Sequence, residues 1–233
     1  MKCKIMVLFG LFILALSCKK ITNVKLVDGV NSGKLSYKLV DDAGKGLAGT
    51  KVSLYDAQNI LNTSYPNANA LVATIRTDQD GVAYFPELLP KNYLVICDTA
   101  IINDVRYRTD EFVQVVADTE KKKTVKVSEF SGILNLTLIS SSDYRSPLKN
   151  VGVVAYPVND IKLNSGNIAD VINSSALKGV TDASGLVSIK LPSNISFDFI
   201  VYNLTNRNLG YGYGNYNIAK DAKISATLYS YPF

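Results

Sequence analysis

The stretch Thr77–Phe85, TDQDGVAYF, has a counterpart later in the chain, where Thr181–Leu186 reads TDASGL. Both stretches carry Thr, Asp and Gly at the same places, whereas Asp80 of the first is replaced by Ser184 in the second. An Asp side chain can accept backbone hydrogen bonds two residues further on, and Gly can adopt the positive φ that closes a tight turn. The shared residues therefore predict a hairpin turn at both places. A calcium loop would need further acidic ligands downstream.

Two other blocks repeat in the same order as this turn. Gly33–Leu39 aligns with Gly132–Leu138, and Leu47–Tyr55 aligns with Leu148–Tyr156. Three blocks in one order, at offsets that grow slowly along the chain, predict two copies of one domain. The predicted domains are residues 31–129 and residues 130–233.

Within the repeated blocks, apolar and polar residues alternate. Leu35, Tyr37 and Leu39 alternate with polar residues, and a similar alternation follows Gly132 in the second copy. Successive side chains of a strand point to opposite faces, so this period of two predicts strands with one buried face. No stretch after the first 20 or so residues shows a helical stripe. The predicted fold class is all-β, with two tandem Ig-like or transthyretin-like antiparallel β-sandwich domains.

The order of motifs in the first copy resembles the carboxypeptidase regulatory-like and transthyretin-like modules. Gly46–Val52, GLAGTKV, is similar to the second-strand block of that family, and Leu88–Val95, LLPKNYLV, is similar to its L-x-P-G-x-Y-x-V block. Lys91 and Asn92 stand where the family usually has Gly, and the second copy fits more loosely. The resemblance implies the sandwich fold and leaves the function open, because this fold serves many roles.

The N-terminus has the three-part layout of a secretory signal. Lys2 and Lys4 precede an apolar run from Ile5 to Leu16, which is followed by small residues and Cys18. This layout predicts a signal peptide over residues 1–17.

The segment Leu14–Cys18, LALSC, resembles the lipobox of bacterial lipoproteins. The resemblance implies that Cys18 is lipidated, that residues 18–30 form a tether, and that the lipid makes the membrane a partner. Lys19, the residue after Cys18, resembles the residue found at this position in lipoproteins that Gram-negative cells sort to the outer membrane. The acidic stretch typical of surface-exported lipoproteins of the Bacteroidetes type is missing, so the face of the membrane stays open. An ordinary signal peptide with an incidental Cys18 is the alternative.

The residue types present restrict the available chemistry. The chain contains no His, which rules out a Ser-His-Asp triad and removes the usual neutral-pH base. The adjacent acids Asp41–Asp42 and Asp110–Glu111 are predicted to point apart in polar turns. Cys97 shares a strand face with Val95 and Tyr93, which predicts a core residue. We therefore predict no catalytic residue, no metal ligand and no cofactor.

Two features are candidates for binding. Tyr211, Tyr213 and Tyr216 stand among Gly residues near the C-terminus, and Tyr rings offer stacking area with a hydroxyl group. The alternative is an irregular edge strand whose rings cover one end of the sandwich. The long loops 56–70 and 157–175 occupy corresponding places in the two copies and form a candidate partner surface.

These features predict a non-enzymatic envelope lipoprotein that acts as a binding or structural module. The alternatives are a carbohydrate-binding accessory lipoprotein of a polysaccharide-uptake system and a pilus or adhesin subunit. The formal net charge of +5 is scattered along the chain, with one strong basic run at Lys121–Lys123. A solvated strand end explains that run, so a protein or a glycan is the expected partner and nucleic acid is not.

Overall fold

A computed structural model of the chain describes residues 31–61, 63, 66–158, 163–164, 166–207 and 209–233. Residues Asn31–Phe233 form one compact unit. The predicted signal peptide, the predicted lipidation residue Cys18 and the predicted tether lie outside the described residues. Within the described ranges, no helix has both the length and the apolar character needed to span a bilayer.

The first seven strands form two sheets. The smaller sheet has the strand order β4–β1–β7, and the larger has the order β3–β2–β5–β6. Strand β1 pairs antiparallel with β4 and parallel with β7. The strands are β1 Gly33–Val40, β2 Lys51–Asp56, β3 Leu71–Arg76, β4 Val82–Leu88, β5 Asn92–Ile102, β6 Val105–Gln114 and β7 Glu120–Lys126.

The next seven strands repeat this topology. The smaller sheet has the order β11–β8–β14 and the larger β10–β9–β12–β13, so each strand takes the place of the one seven earlier. The strands are β8 Ser131–Ser140, β9 Gly152–Pro157, β10 Lys178–Val180, β11 Leu186–Pro192, β12 Ser196–Tyr202, β13 Gly210–Asn217 and β14 Lys223–Ser230. The predicted class of two tandem β-sandwiches is confirmed. The domain limits 31–129 and 130–233 stay a prediction.

Each sandwich is filled by the inward-facing residues of its two sheets. Leu35, Tyr37 and Leu39 of β1 are fully buried, and they belong to one core cluster with Val95 and Cys97 of β5. The second core has the same construction, and its central residues are Leu134, Leu136, Leu138, Phe197, Phe199 and Val201. Burying a large apolar side chain contributes about 1.5–3 kcal/mol, so these alternating rows account for most of the driving force.

The second long loop contains a helix that the sequence did not predict. Helix α1, Ile168–Ser174, packs Val171 and Ile172 against residues on the outer face of the larger sheet, among them Ile200 and Tyr202. Seven residues are too few for a recognisable helical stripe, and so short a helix depends on packing for its stability. The first long loop forms 3₁₀ turns at Ala57–Asn59 and Ala68–Ala70 instead.

The repeated TDxxG motif forms a turn, but the hairpin prediction is wrong. Strand β3 pairs with β2, whereas β4 pairs with β1, so the turn carries the chain from the larger sheet to the smaller one. The corresponding turn between β10 and β11 makes the same crossover. Local Asp and Gly chemistry closes either kind of turn, and only the long-range pairing of the flanking strands distinguishes them.

A buried Thr fastens each crossover to the loop between the first two strands of its copy. The Thr77 hydroxyl accepts a hydrogen bond from the amide of Thr50 at 2.9 Å and donates one to the carbonyl of Leu47 at 2.5 Å. In the second copy, the Thr181 hydroxyl accepts from the Val151 amide at 3.0 Å and donates to the Leu148 carbonyl at 2.6 Å. The conserved geometry explains why Thr recurs at this place in both copies.

The Asp of each crossover is used by the backbone. Asp78 Oδ1 accepts hydrogen bonds from the amides of Asp80 and Val82 at 2.9 and 2.8 Å. Asp182 does the same with Ser184 and Leu186, at 2.8 and 2.9 Å. These bonds assign the carboxylates to turn closure. Among the described residues, no group of three or more His, Cys, Asp or Glu side chains could hold a metal ion.

The Gly of each crossover is required by both conformation and space. Gly81 and Gly185 each have a φ of +78°. A Cβ atom at Gly81 would lie 2.4 Å from the carbonyl oxygen of Leu39, and one at Gly185 would lie 2.5 Å from that of Leu138. A side chain is therefore excluded at both positions, by the positive φ and by the lack of space for a Cβ atom.

Comparing Gly81→Ala with Gly44→Ala separates these two effects. Gly44 has a similar φ of +83°, but nothing lies within 4 Å of the Cβ that Ala would add. We expect Gly44→Ala to lower the free energy of unfolding by about 1–2 kcal/mol through φ alone. Gly81→Ala should lower the free energy of unfolding by about 1–3 kcal/mol more than Gly44→Ala, because the backbone must shift to make room for the Cβ atom. Urea unfolding of the full chain measures both, and equal losses would contradict the close approach.

Candidate binding surface at the C-terminal edge

The three candidate tyrosines lie on β13, which is an edge strand of the larger sheet in the second sandwich. Tyr211 is paired with Val201 of β12, and Tyr213 with Phe199. The pairing shifts by one residue between Phe199 and Phe197, which places Tyr216 opposite Phe197. This irregularity lets Tyr216 lie on the same face as the other two rings, although its number has the opposite parity.

Tyr213 and Tyr216 belong to the sandwich interior. Both are partly buried and pack against the second core. The Tyr216 ring meets Phe199 edge to face, with ring centroids 5.4 Å apart. Burial raises the pKa of Tyr213, and the Ser230 side chain partly offsets this by hydrogen bonding to its hydroxyl. The alternative predicted from the sequence, in which rings cover the end of the sandwich, describes these two residues.

Tyr211 lies in a different environment and is 41% exposed. Its ring stacks on Phe233 with centroids 5.5 Å apart and planes at 27°, and it contacts Tyr231 at 5.7 Å. Tyr231 and Phe233 are also exposed. Sequence reasoning missed these two residues because they follow the last strand, outside the Gly–Tyr pattern. We call Tyr211, Tyr231 and Phe233 the aromatic cluster.

The Gly residues between the tyrosines allow the outer face of β13 to be covered closely. A Cβ atom at Gly214 would lie 2.4 Å from the Asp198 carboxylate, and one at Gly210 would lie 2.9 Å from Ile200. At Gly212 the nearest atom would belong to Leu163 of the long loop, at 3.1 Å. The Gly residues therefore reflect a crowded outer face, whereas on the other face Tyr213 and Tyr216 pack against the core and Tyr211 stays exposed.

A cavity of about 450 Å³ lies beside the aromatic cluster. Pro232 and Phe233 line it together with other apolar residues and with polar residues such as Asn150, Asn203 and Thr205. Cavities of this size that combine apolar surface with a few polar groups are typical of small-ligand sites.

The adjacent carboxylates point apart and serve the structure. Asp110 and Glu111 lie in the middle of β6, so their predicted place in a polar turn is wrong. Glu111 accepts a hydrogen bond from the buried Tyr37 hydroxyl at 2.8 Å and forms an ion pair with Lys123 at 3.1 Å. These contacts join the two sheets along one edge of the first sandwich. They give Glu111 a structural role.

Cys97 is a core residue, as predicted. Its side chain is fully buried in the first core, and burial raises the pKa of the thiol to about 11. A thiol with so high a pKa is protonated at neutral pH and is a poor nucleophile.

The two sandwiches are joined without a spacer. Strand β7 ends at Lys126, a 3₁₀ turn spans Val127–Glu129, and β8 begins at Ser131. The Ser128 hydroxyl in this turn donates to Asp42 of the first sandwich at 2.5 Å. A second bond crosses the junction where the Asn194 amide donates to the Asp110 carboxylate at 2.7 Å.

No family model matches the chain, and no curated protein matches its sequence. Solved structures match it at low identity. The TIE protein of Bacillus anthracis is 17% identical with a TM-score of 0.35, over 85% of this chain and 34% of that one. A streptococcal ancillary pilin is 12% identical with a TM-score of 0.38, over 86% and 63%. The minor pilin GBS52 of Streptococcus agalactiae is 16% identical with a TM-score of 0.35, over 85% and 95%. The chain thus spans less than two thirds of the first two.

The different environments of the tyrosines predict different effects of truncation. We expect Tyr216→Ala to lower the free energy of unfolding by about 2–4 kcal/mol, because it leaves a cavity against Phe199. Tyr211→Ala, the matched exposed substitution, should cost about 1 kcal/mol or less. Urea unfolding measures both. A loss for Tyr211→Ala as large as that for Tyr216→Ala would show that the aromatic cluster is structural.

Proposed function

We propose that this chain is an exported, lipid-anchored, non-enzymatic protein that acts as a binding or structural module at the bacterial envelope. The direct junction between the two sandwiches supports this proposal best. The connecting turn is short and hydrogen-bonded to the first sandwich through Ser128 and Asp42. A short, hydrogen-bonded connection limits how far the modules can separate, which suits a protein that presents a surface away from its anchor.

Several polar residues of the sandwiches are engaged by the fold itself, which agrees with a non-enzymatic role. Glu111 accepts a hydrogen bond from Tyr37 and forms an ion pair with Lys123, and the crossover Thr and Asp side chains form hydrogen bonds with backbone groups. Buried polar groups that are fully used by the fold add stability and specificity to it. The pKa of the one described thiol is raised, which disfavours nucleophilic chemistry there.

The anchor is the part of the proposal that rests on sequence alone. The lipobox-like segment places the attachment at Cys18, and the residue after it favours the outer membrane. Acyl chains contribute about 0.8 kcal/mol per buried methylene, so two or more chains would hold the protein at a membrane.

The Cys18→Ser variant tests the anchor. We expect it to lose incorporation of a labelled fatty acid and to move from the membrane fraction to the soluble fraction. Cys3→Ser is the matched control and should keep both properties, because Cys3 lies within the segment that is removed. Mass spectrometry of the wild-type N-terminus should find an acylated Cys18, and a chain that still begins at Met1 would refute the proposal.

Carbohydrate binding is the second candidate function, and the aromatic cluster is the observation that favours it. Tyr211, Tyr231 and Phe233 combine exposed ring faces with an adjoining cavity that carries Asn and Thr side chains. Exposed rings stack on the apolar faces of sugars, and neighbouring amides and hydroxyls bind their hydroxyl groups. A pilus or adhesin subunit stays the other alternative, with β14 as an edge strand that another chain could extend.

A glycan array probed with the purified full-length protein tests the second candidate. We expect Tyr211→Ala and Phe233→Ala each to weaken the binding of a recognised glycan about tenfold. Phe112→Ala is the matched control, because Phe112 is 60% exposed on the larger sheet of the first sandwich, and it should bind like the wild type. If the wild type binds no glycan, carbohydrate recognition by this cluster is excluded.

A further inference from the structure

Lysines that are scattered in the sequence gather on the outer faces of the two smaller sheets. In the first sandwich, Lys34 and Lys38 of β1 alternate with the buried Leu35, Tyr37 and Leu39, so they face outward. The parallel pairing of β1 with β7 sets Ser36 beside Lys122 and Val40 beside Lys126. Four lysines therefore share this face, at Lys34, Lys38, Lys122 and Lys126.

On the corresponding face of the second sandwich, two lysines lie side by side near the start of β8. Ile133 of β8 is paired with Lys190 of β11 on one side and with Lys223 of β14 on the other. The next row along the strands is uncharged and consists of Ser188, Asn135 and Ser225. The lysines thus stand at the end of this face that lies nearest to the first sandwich.

The two faces meet at Asp42. Its carboxylate lies 3.3 Å from Lys126 Nζ. The hydrogen bond from Ser128 is the main cause that lowers the pKa of Asp42, and the positive charges of Lys126 and Lys190 act in the same direction. Lysines from both sandwiches therefore act on one carboxylate at the junction.

A cavity of about 480 Å³ opens beside this meeting point. Lys190, Lys220 and Lys223 line it together with Glu129 and Asp221. The Lys220 ammonium group also lies over the Phe130 ring, 4.3 Å from its centroid. The volume is in the range of sites that hold one or two sugar residues.

The charges of this surface are unbalanced. We define the basic face as Lys34, Lys38, Lys122, Lys126, Lys190, Lys220 and Lys223. Carboxylates accompany some of these lysines: Asp42 and Glu120 form ion pairs on the first sandwich, Glu129 and Asp221 line the junction cavity, and the exposed Glu87 of β4 lies opposite Lys34. Lys122 pairs with Glu120 at 3.8 Å and Lys126 with Asp42, whereas Lys34, Lys38, Lys190 and Lys223 form no ion pair with any residue that the structure describes.

Unpaired ammonium groups on one face create a positive potential that attracts anions. Residues 31–233 contain almost equal numbers of basic and acidic side chains, so the excess on this face is compensated elsewhere on the protein. The positive field is therefore a local property of the basic face and would orient an anionic partner toward it.

We propose that the basic face binds an acidic polysaccharide, with one acidic sugar in the junction cavity and the chain continuing over the first sandwich. Lys34 and Lys38 are four strand residues apart, about 13 Å, which suits anionic groups repeated along a polymer. Uncharged hydroxyl and amide groups stand between and beyond the lysines, at Ser36, Thr124, Ser188, Asn135 and Ser225, and can bind sugar hydroxyls. The face contains no Arg, which disfavours nucleic acid.

The inference deepens the binding role proposed above and uses a surface other than the aromatic cluster. The purified full-length protein is tested against polygalacturonate, with neutral dextran and inorganic polyphosphate as comparison probes. We expect binding to polygalacturonate alone, and we expect it to weaken as salt rises from about 50 to 500 mM, because exposed charges are screened.

Two double variants locate the site. Lys190→Gln/Lys223→Gln and Lys34→Gln/Lys38→Gln should each weaken polygalacturonate binding about tenfold, since each removes two unpaired charges. Lys51→Gln/Lys178→Gln removes the same charge from the two larger sheets, away from the basic face, and should stay within about twofold of the wild type. Circular dichroism and urea unfolding confirm that all variants are folded.

Three results would overturn the inference. These are no binding to polygalacturonate at low salt, an equal loss in the Lys51/Lys178 control, and equally tight binding to polyphosphate, which would show that charge alone is recognised. None of them affects the fatty-acid labelling of Cys18, so failure here is distinguishable from failure of the lipid anchor.

Discussion

The hydroxyl groups of Thr77 and Thr181 are the contacts on which both sandwiches depend. Each one holds the crossover between the sheets against the loop that follows the first strand, and so fixes how the two sheets face each other. Without the hydroxyl, a buried amide and a buried carbonyl would lose their partner, at a cost of about 1–3 kcal/mol for each unpaired group. Asp and Gly then shape the turn around this fixed point.

Much of the fold follows from local patterns in the sequence. The alternation at Leu35, Tyr37 and Leu39 predicts a half-buried strand, and the structure buries these residues in the first core. The repeated blocks predict two copies with one topology. The pairing partners of the strands could not be predicted in the same way, because a TDxxG turn looks identical whether it joins neighbours in one sheet or strands in different sheets.

The candidate sites show the same limit. A period of two places Tyr211 and Tyr213 on one face, but the shift in pairing that brings Tyr216 to that face is invisible in the sequence. The basic face was missed because its lysines are spread from Lys34 to Lys223, and only the strand register brings them together.

The parallel pairing of β1 with β7, and of β8 with β14, has a mechanical consequence. Because the first and last strands of each sandwich run in the same direction, the chain enters and leaves at opposite ends of one ladder. Tension applied through the termini then acts along the strands and loads all the hydrogen bonds of the ladder in shear, instead of opening them one after another. Both sandwiches share this arrangement, so the pair can carry a pulling force in series.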